Sequence, residues 1–272
     1  MNYDIVCPIC DFKKSSKFFV EIVDNELFTI VKCQRCGLVY TLKSDIFREQ
    51  YYMKSKREYQ KVRSTQYVKE LLQTLLHLKT FIKQNSLLID IGCSTGFFLD
   101  LAKKCGFRTE GVEKSEIAAE KSLSKGHKVF TGDILEVDIP LDSVDVVVLL
   151  HTLEHLSNPD FVIEKIRSVL KKNGIIIVEV PNLWHWILQR KFFISRSLAP
   201  DRHLYHFTPV TLTKLVEICG LKVMKIMPAN RYDKKNAFTG VFQFAFSILA
   251  FYIFVVTGII LSNSIRLCAQ KK

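Results

Sequence analysis

Two close pairs of cysteines are the first chemical feature of the sequence. Cys7 and Cys10 form one C-x-x-C pair, and Cys33 and Cys36 form a second pair 22 residues further along. Four thiolates in this arrangement make a tetrahedral zinc site, in which all positions around the metal are taken by sulfur. The predicted zinc is therefore structural. It would stabilise a region of roughly 40 residues whose core is too small to fold alone.

A glycine turn follows a run of apolar residues near the middle of the chain. The run Leu87–Ile91 carries Asp90, and Gly92 and Gly96 follow it with the spacing G-x-x-x-G. Because ligands of open α/β sheets bind at the carboxyl ends of the strands, this turn is a predicted binding site. The spacing differs from the dinucleotide fingerprint G-x-G-x-x-G, and Asp90 would repel a pyrophosphate. A carboxylate here suits a ligand with an ammonium group or hydroxyls.

Two further acids follow the next two predicted strands. Glu113 ends one strand, where its carboxylate can accept hydrogen bonds from both hydroxyls of a ribose. Asp133 follows the other strand, where it can accept from an exocyclic amine while Ile134 packs on an adenine face. Three acids in register after three strands, together with the glycine turn, indicate a site for an adenosine compound without phosphate.

These motifs resemble the class I S-adenosylmethionine-dependent methyltransferases, and most of all the bacterial group related to the ubiquinone-biosynthesis methyltransferases. The resemblance covers about Leu87 to Met227. It rests on the segments LIDIGCSTG at 88–96, GVE at 111–113, GDI at 132–134, DVVVLLHTLEHL at 145–156 and VPN at 180–182. One departure is Ser94, where the family usually has glycine, although a small residue still fits a tight turn.

The resemblance implies a fold, a cofactor and a set of site residues. The implied fold is an α/β, Rossmann-like, seven-stranded sheet with helices on both faces, and the implied cofactor is S-adenosylmethionine. The amino acid end of the cofactor would lie at the glycine turn, its ribose at Glu113 and its adenine at Asp133. The predicted cofactor-binding residues are Asp90, Gly92, Cys93, Gly96, Glu113, Asp133, Ile134 and His151.

Methyl transfer to a hydroxyl also needs a general base near the carboxyl ends of the fourth and fifth strands. The candidates are His155, which lies in the family-like fragment LEH, His151, nearer the cofactor, and His206 with its neighbour His203. A structural alternative is that His155 caps the following turn. Glu154 with these histidines could hold a divalent metal, but the spacing does not require one.

The elements that must position these groups alternate along the chain. Apolar runs predict strands at Leu87–Ile91, Thr109–Val112, Lys128–Phe130, Val144–Leu150, Ile175–Val180 and Leu221–Met227. Helical stretches are predicted at Phe97–Cys105, Ile117–Lys125, Asp160–Lys171 and Thr208–Cys219, with Gly106, Gly126, Gly174 and Gly220 as stops. Such alternation predicts a parallel sheet covered by helices.

We divide the chain into three predicted regions. Residues 1–42 form the zinc ribbon, residues 43–82 form a helical linker and cap, and residues 83–272 form the methyltransferase domain. In the linker, leucines at helical spacing from Val68 to Leu78 predict a helix that packs on the next domain. The ribbon is expected to serve folding or docking, and a contact with nucleic acid or substrate is the alternative.

An uncharged stretch lies near the C-terminus. No charged residue occurs between Lys235 and Arg266, and the apolar segment 237–261 is long enough to span a bilayer. The last residues, 264–272, resemble the family's final antiparallel strand. If this strand and the strand at 221–227 share one sheet, the apolar segment must leave and return on the same side. We therefore predict a helical insertion that dips into the membrane, with a true span and a helix packed on the protein's own core as alternatives.

Composition and charge limit the function classes. The 272 residues carry 39 Lys and Arg against 27 Asp and Glu, a net charge of +12, and 48% are hydrophobic. This excess of positive charge favours an anionic partner, and the apolar content excludes general disorder. Met1–Asp11 lacks the pattern of a signal peptide, and the cysteine pattern favours metal over disulfides. We therefore expect a cytoplasmic protein at the inner face of the cytoplasmic membrane.

Four functions remain open at this point. The first is O-methylation of a lipid-linked glycan, a polyprenyl compound or a quinone precursor at the membrane. The second is methylation of a soluble nucleotide sugar or another small molecule. An RNA methyltransferase is weaker, because the positive residues are dispersed rather than gathered in a stripe. A non-catalytic binding protein conflicts with the intact acids Asp90, Glu113 and Asp133. The sequence does not predict an oligomeric state.

Overall fold

The computed structural model describes most of the chain. The described residues are 2–42, 65–78, 82, 83, 85–191, 198–229 and 252–272. The strands are β1 (Asn2–Tyr3), β2 (Ser15–Val23), β3 (Glu26–Cys33), β4 (Val39–Leu42), β5 (Leu87–Ile91), β6 (Arg108–Glu113), β7 (Lys128–Thr131), β8 (Val144–Leu150), β9 (Leu170–Pro181), β10 (Tyr205–His206), β11 (Leu221–Ala229) and β12 (Ser264–Lys271). The helices are α1 (Thr65–Leu78), α2 (Phe97–Lys104), α3 (Glu116–Leu123), α4 (Pro159–Val169), α5 (Leu183–Lys191) and α6 (Pro209–Ile218).

The larger sheet of the described residues has seven strands in the order β11-β12-β9-β8-β5-β6-β7. Strands β5 to β9 run parallel, and β12 pairs antiparallel with both β9 and β11. The chain order reverses between β5 and β8, so the carboxyl ends of β5 and β8 border the switch point at which ligands of open sheets bind. The predicted α/β class and the final antiparallel strand are confirmed.

Burial explains why these segments form strands. Every residue of β5 is buried, and Val146 to Leu149 of β8 are at most 1% exposed. Both strands are near-continuous apolar runs, because helices cover a parallel sheet on its two faces. The leucine stripe of α1 packs as predicted, since Leu71, Leu75 and Leu78 share a buried cluster with residues of β5 and α2.

Local signals set the ends of two helices that border the site. Pro159 occupies the first turn of α4, where its missing N–H removes no helical hydrogen bond. Thr208 caps α6 in a capping box: its hydroxyl accepts from the N–H of Thr211, and the Thr211 hydroxyl accepts from the N–H of Thr208. These caps fix where the chain enters each helix after β8 and β10.

The smaller sheet, which we call the N-terminal sheet, has the order β1-β2-β3-β4-β10. Its last strand comes from far along the chain, because Tyr205 pairs with Tyr40 and His206 with Val39. Ile30 and Val39 of this sheet form a buried cluster with Leu183 and Leu198. The N-terminal residues therefore share a core with the segment around β10. The boundary predicted after residue 42 stays a prediction.

The apolar insertion is only partly within the described residues. Ala229 at the end of β11 pairs with Ser264 at the start of β12, so the intervening segment leaves and re-enters the sheet at one point. Of the predicted segment 237–261, residues 237–251 lie outside the described residues, and residues 252–257 are helical. Among the described residues, we find no helix with the length and apolarity needed to cross a membrane.

Two element predictions need correction, and one strand pairing was missed. Strand β9 begins at Leu170, so the helix predicted to reach Lys171 ends at Val169. Gly174 lies inside this strand and does not stop the helix. The pairing of β10 with β4 was not predicted, because a two-residue strand has no periodicity to detect.

Candidate functional site

The glycine turn joins β5 to α2 at the carboxyl edge of the sheet. The N–H groups of Gly92 and Cys93 both donate to the carbonyl oxygen of Val112, at 2.8 and 3.2 Å. Gly92 and Gly96 have φ angles of +77°, in the left-handed region that glycine adopts without strain. A Cβ on Gly92 would lie 2.5 Å from Oγ1 of Thr152, and one on Gly96 would overlap Ser122. Glycine is therefore required at both positions, because the φ angle is positive and a Cβ atom would overlap a neighbouring side chain.

Ser94 adopts the same left-handed region, with a φ of +51°. For a residue with a Cβ this region costs roughly 1–2 kcal/mol, which accounts for the glycine that the resembled family has here. The Ser94 N–H donates to Oε2 of Glu113 at 2.8 Å, so a charge-assisted hydrogen bond holds the turn in this conformation.

The three predicted acids follow adjacent strands of the sheet. Asp90 lies in β5 and is 3% exposed, Glu113 ends β6, and Asp133 comes two residues after the end of β7. Because β5, β6 and β7 are neighbours and run parallel, the three residues lie near one edge of the sheet, at the carboxyl ends of these strands. The sheet thus brings these residues to the same edge, and the contacts predicted for them with a cofactor stay predictions.

Glu113 is buried, and backbone groups surround its carboxylate. Oε1 accepts from the N–H of Ser115 and Oε2 from the N–H of Ser94, both at 2.8 Å. Burial raises the pKa of Glu113, and these backbone donors partly oppose the increase. The predicted contact of this carboxylate with two ribose hydroxyls stays a prediction.

Asp133 is the most exposed of the three acids. Its Oδ1 accepts from the N–H of Leu135 at 3.1 Å, and its Oδ2 forms an ion pair with Lys114 at 3.2 Å. Ile134 is 3% exposed and belongs to the main buried core. Its predicted contact with adenine stays a prediction.

His151, at the end of β8, lies between two buried glutamates. Its Nε2 is 3.0 Å from Oε1 of Glu179, and its Nδ1 is 3.5 Å from Oε1 of Glu154. Burial opposes the charged form, but the two glutamates raise the pKa of His151 above its ordinary value. A carboxylate faces each ring nitrogen and favours the charged imidazolium, and the predicted catalytic role of His151 stays a prediction.

A buried ion-pair network continues from His151 to the last strand. Nε and Nη2 of Arg266 donate to Oε2 of Glu179 at 2.8 and 2.6 Å, and Nη1 donates to Thr74 at 2.6 Å. Burial would raise the pKa of Glu179, whereas His151 and Arg266 lower it to about 2. We did not predict Glu179 or Arg266 as site residues. The signal was available, because each is a charge flanked on both sides by apolar residues of its strand.

His155 and His203 lie close to each other beside Glu154. Nε2 of His155 lies 3.9 Å from Oε1 of Glu154, and the two imidazole rings are 4.9 Å apart. Both oxygens of Glu154 are buried and have no hydrogen-bond partner among the described residues. Burial would raise the pKa of Glu154, but His151 and His155 beside it lower it to about 2. Burial and the neighbouring His155 lower the pKa of His203 well below its ordinary value.

This cluster can hold a cation. Glu154, His155 and His203 each offer one ligand atom, and these atoms lie within 4.8 Å of one another. Carboxylate and neutral imidazole are suitable ligands for divalent transition metals. Nδ1 of His155 lies 2.9 Å from the carbonyl oxygen of Arg202, and both the catalytic and the capping role of this residue stay predictions.

His206 lies at the edge of this cluster and faces the N-terminal sheet. Its Nε2 is 3.0 Å from Oγ1 of Thr41, and its ring is 6.5 Å from that of His203. Burial lowers the pKa of His206 to about 3, so the ring is neutral at pH 7. Its place in the predicted catalytic set stays a prediction. Thr41 is a contact that the sequence did not indicate.

The four N-terminal cysteines converge as their spacing predicts. Sγ of Cys7 lies 3.4 Å from that of Cys36, and Sγ of Cys10 lies 3.6 Å from that of Cys33. All four sulfurs are within 4.8 Å of one another. Sulfurs around a tetrahedral zinc with bonds of about 2.3 Å are separated by about 3.8 Å, so the donor set and its spacing fit zinc.

A family model for a methyltransferase domain matches residues 58–226, which is more than half of the chain. The chain belongs to this methyltransferase domain family. A protein of Mycolicibacterium smegmatis, named a probable S-adenosylmethionine-dependent methyltransferase, is 30% identical over 137 residues, or 50% of this chain and 51% of that protein. The chain thus spans about half the length of this curated relative.

A second relative is named a ubiquinone biosynthesis O-methyltransferase. It comes from Coxiella burnetii and is 23% identical over 164 residues, covering 55% of this chain and 69% of that protein. Among solved structures, a methyltransferase of Archaeoglobus fulgidus, titled SAM-dependent, is 22% identical with a TM-score of 0.54, and the match covers 81% of this chain and all of that chain. The solved structure supports the methyltransferase fold of this chain.

Proposed function

We propose that the protein is an S-adenosylmethionine-dependent methyltransferase that transfers a methyl group to a hydroxyl. The observation that carries this proposal is the edge formed by Asp90, Glu113 and Asp133 beside the glycine turn, in a chain of the methyltransferase domain family. When bound, the cofactor would supply a methyl group already activated by the positive charge on its sulfur. The protein then mainly has to hold the two reactants in line.

We assign a different part of the cofactor to each residue of this sheet edge. Asp90, the glycine turn with Cys93, and the adjacent His151 would border the amino acid end of the cofactor, where a buried carboxylate favours its ammonium group. Glu113 would accept from the ribose hydroxyls, and Asp133 from the adenine amine. The carboxylates favour a cationic ligand over a phosphorylated one.

We propose His155 as the general base. Its Nδ1 faces the carbonyl oxygen of Arg202 and must carry the proton, so the lone pair of the neutral ring lies on Nε2, and this nitrogen would take the proton of the acceptor's hydroxyl. Glu154 lies beside this nitrogen and favours the imidazolium that forms. A divalent cation held by Glu154, His155 and His203 is the alternative arrangement, in which the metal would bind the acceptor oxygen.

We further propose that the acceptor is lipid-linked, either a glycan, a polyprenyl compound or a quinone precursor, and that the protein works at the cytoplasmic membrane face. Three observations support this proposal. The insertion begins and ends at one point of the sheet, which suits a segment that dips into a membrane. Tyr252, Val255 and Val256 are about two-thirds exposed in its last part. The Coxiella relative is named for ubiquinone biosynthesis.

Radiolabelled S-adenosylmethionine tests the acceptor class. The full chain is incubated with labelled cofactor and a bacterial lipid extract, and separately with a pool of nucleotide sugars. We expect label in the lipid fraction. Label that enters only the nucleotide-sugar pool would replace the lipid acceptor with a soluble one, and label in added RNA would indicate the nucleic-acid class.

Vesicle flotation tests the membrane contact separately. The full chain should float with vesicles that contain anionic lipids, because Arg231, Lys234 and Lys235 precede the apolar segment. A chain that lacks residues 237–261 should stay at the bottom. If the two chains float to the same extent, the proposed membrane attachment is wrong. That result would leave the proposed methyl transfer untouched.

A further inference from the structure

The N-terminal sheet contacts the histidine cluster through Thr41 of β4. The Thr41 hydroxyl donates to the carbonyl oxygen of His203 at 3.0 Å and lies 3.0 Å from Nε2 of His206. Because its single proton goes to the carbonyl, the hydroxyl must accept from Nε2–H of His206. The Thr41 backbone N–H also donates to the carbonyl oxygen of Leu204 at 2.9 Å. Thr41 is 6% exposed, so water does not compete for these bonds.

The same short segment is bound from its other side by the turn that follows β8. The N–H of Leu204 donates to the carbonyl oxygen of Glu154 at 2.8 Å. Nδ1 of His155 donates to the carbonyl oxygen of Arg202 at 2.9 Å. The residues from Arg202 to His206 are therefore held between β4 and the turn that carries Glu154. His203 lies within this held segment, and its ring is also bound, because its Nδ1 lies 3.2 Å from the carbonyl oxygen of Leu198.

We propose that Thr41 is a positioning residue of the active site, whose hydroxyl fixes the backbone at His203 and thereby holds the His203 imidazole beside Glu154 and His155. This inference rests on the proposed function, because it assigns Thr41 to the same transfer site. If this role is correct, the N-terminal sheet helps to position a residue of the transfer site, in addition to its expected part in folding.

The four-cysteine cluster adjoins the start of β4, the strand that carries Thr41. Cys33 ends β3, its N–H donates to the carbonyl oxygen of Leu38 at 2.8 Å, and β4 begins at the next residue, Val39. The knuckle formed by Cys33 to Cys36 thus sets the start of the strand that carries Thr41. A metal bound by the four sulfurs would stabilise this knuckle and, through β4, the position of His203.

The test uses the full chain with bound zinc and ¹⁵N-labelled histidine. Long-range ¹H–¹⁵N NMR reports the protonation and surroundings of each ring nitrogen. Thr41→Val removes the hydroxyl at nearly constant size, and Thr41→Ser restores it. Thr29→Val is the matched control, because Thr29 lies on the neighbouring strand β3 and pairs with Leu42.

We expect Thr41→Val to shift the ring signals of both His203 and His206, while Thr41→Ser and Thr29→Val keep the wild-type signals. Should the valine variant not fold, Thr41→Ala gives the same comparison. Unchanged signals of His203 in a folded variant without the hydroxyl, or a serine variant that resembles the valine variant, would overturn the proposal.

An activity measurement separates this proposal from the proposed function. With labelled S-adenosylmethionine and the lipid extract, Thr41→Val should reduce the transfer rate roughly 10- to 100-fold, the range expected when a reacting group is displaced. Thr41→Ser should restore the rate, and the affinity for S-adenosylhomocysteine should not change. A wild-type chain that transfers no label to any acceptor would contradict the proposed function, whereas a Thr41→Val rate equal to wild type would contradict the role of Thr41.

Discussion

Nδ1 of His155 lies 2.9 Å from the carbonyl oxygen of Arg202. Because a carbonyl oxygen can only accept, this contact fixes the tautomer of the ring and leaves the lone pair of the neutral imidazole on Nε2. That nitrogen faces the carboxylate of Glu154 at 3.9 Å. The contact therefore orients the His155 ring, and it is the reason that we propose His155 as the general base.

His155→Asn tests this role. The asparagine amide can keep the bond to Arg202, but it has no basic nitrogen in the place of Nε2. We expect methyl transfer to fall by roughly 10²-fold or more, with unchanged affinity for S-adenosylhomocysteine by calorimetry. Asp142→Asn, on an exposed side chain paired with Lys271, is the control and should keep the wild-type rate. A fully active His155→Asn chain would exclude His155 as the base.

Glu113→Gln tests the bond between the glycine turn and β6. Glutamine can accept from only one of the two N–H groups that Ser94 and Ser115 direct at this carboxylate. Leaving a buried donor unpaired costs about 1–3 kcal/mol, so we expect a lower free energy of unfolding and weaker binding of S-adenosylhomocysteine. Denaturant titration and calorimetry measure the two effects.

Glu110→Gln is the matched control for this change. Glu110 lies on the same strand, three residues earlier, and its partner is the exposed Lys128. It should unfold and bind as the wild type does. Equal effects of the two substitutions would show that Glu113 has no special part in the turn.

Zinc content tests the cysteine cluster. The purified chain should contain one zinc per molecule by atomic absorption, and Cys36→Ser should lose it together with part of its thermal stability. Cys268→Ser, on β12 and distant in sequence from the cluster, should keep the metal. Equal zinc content in the Cys36→Ser chain and the wild type would remove zinc from this site.

The buried His206 predicts a dependence of stability on pH. Its pKa is about 3 in the folded protein and about 6.5 in the unfolded chain. Between these values the unfolded chain binds a proton that the folded protein does not, so the free energy of unfolding falls as the pH falls. The slope from this one group is about 1.4 kcal/mol per pH unit.

His206→Gln removes this group and keeps a hydrogen-bonding nitrogen near Thr41. Denaturant titrations at pH 7, 6 and 5 should show a smaller loss of stability in the variant than in the wild type. His151 and His203 titrate in both proteins, so the difference between the two isolates His206. Parallel curves would mean that His206 is already accessible to protons in the folded state.

Much of the main sheet could be predicted from the sequence. The strands Leu87–Ile91 and Val144–Leu150 are continuous apolar runs that are buried on both faces, and the predicted bounds agree with the structure. The error at β9 has a physical reason. Leu170 and Lys171 continue the apolar and charged pattern of α4, but Leu170 pairs with Val144 of β8 and the strand begins there.

The contacts between distant segments could not be predicted. Thr41 meets His206 across 165 positions of sequence, and Arg266 meets Glu179 across 87. A single sequence has no local pattern for such pairs. The acids and the glycine turn were found because each lies at the carboxyl end of a strand. Glu179 and Arg266 stand out as charges in apolar runs, but the fact that they pair with each other is seen only in the fold.

The pocket for the cofactor is the central claim, and isothermal calorimetry with S-adenosylhomocysteine tests it most directly. We predict that the wild-type chain binds one molecule and that Asp90→Ala abolishes the binding, because the ammonium group loses its buried carboxylate. Asp142→Ala should bind as the wild type does. A folded wild-type chain that does not bind, or an Asp90→Ala chain that binds with the same affinity, would contradict the account.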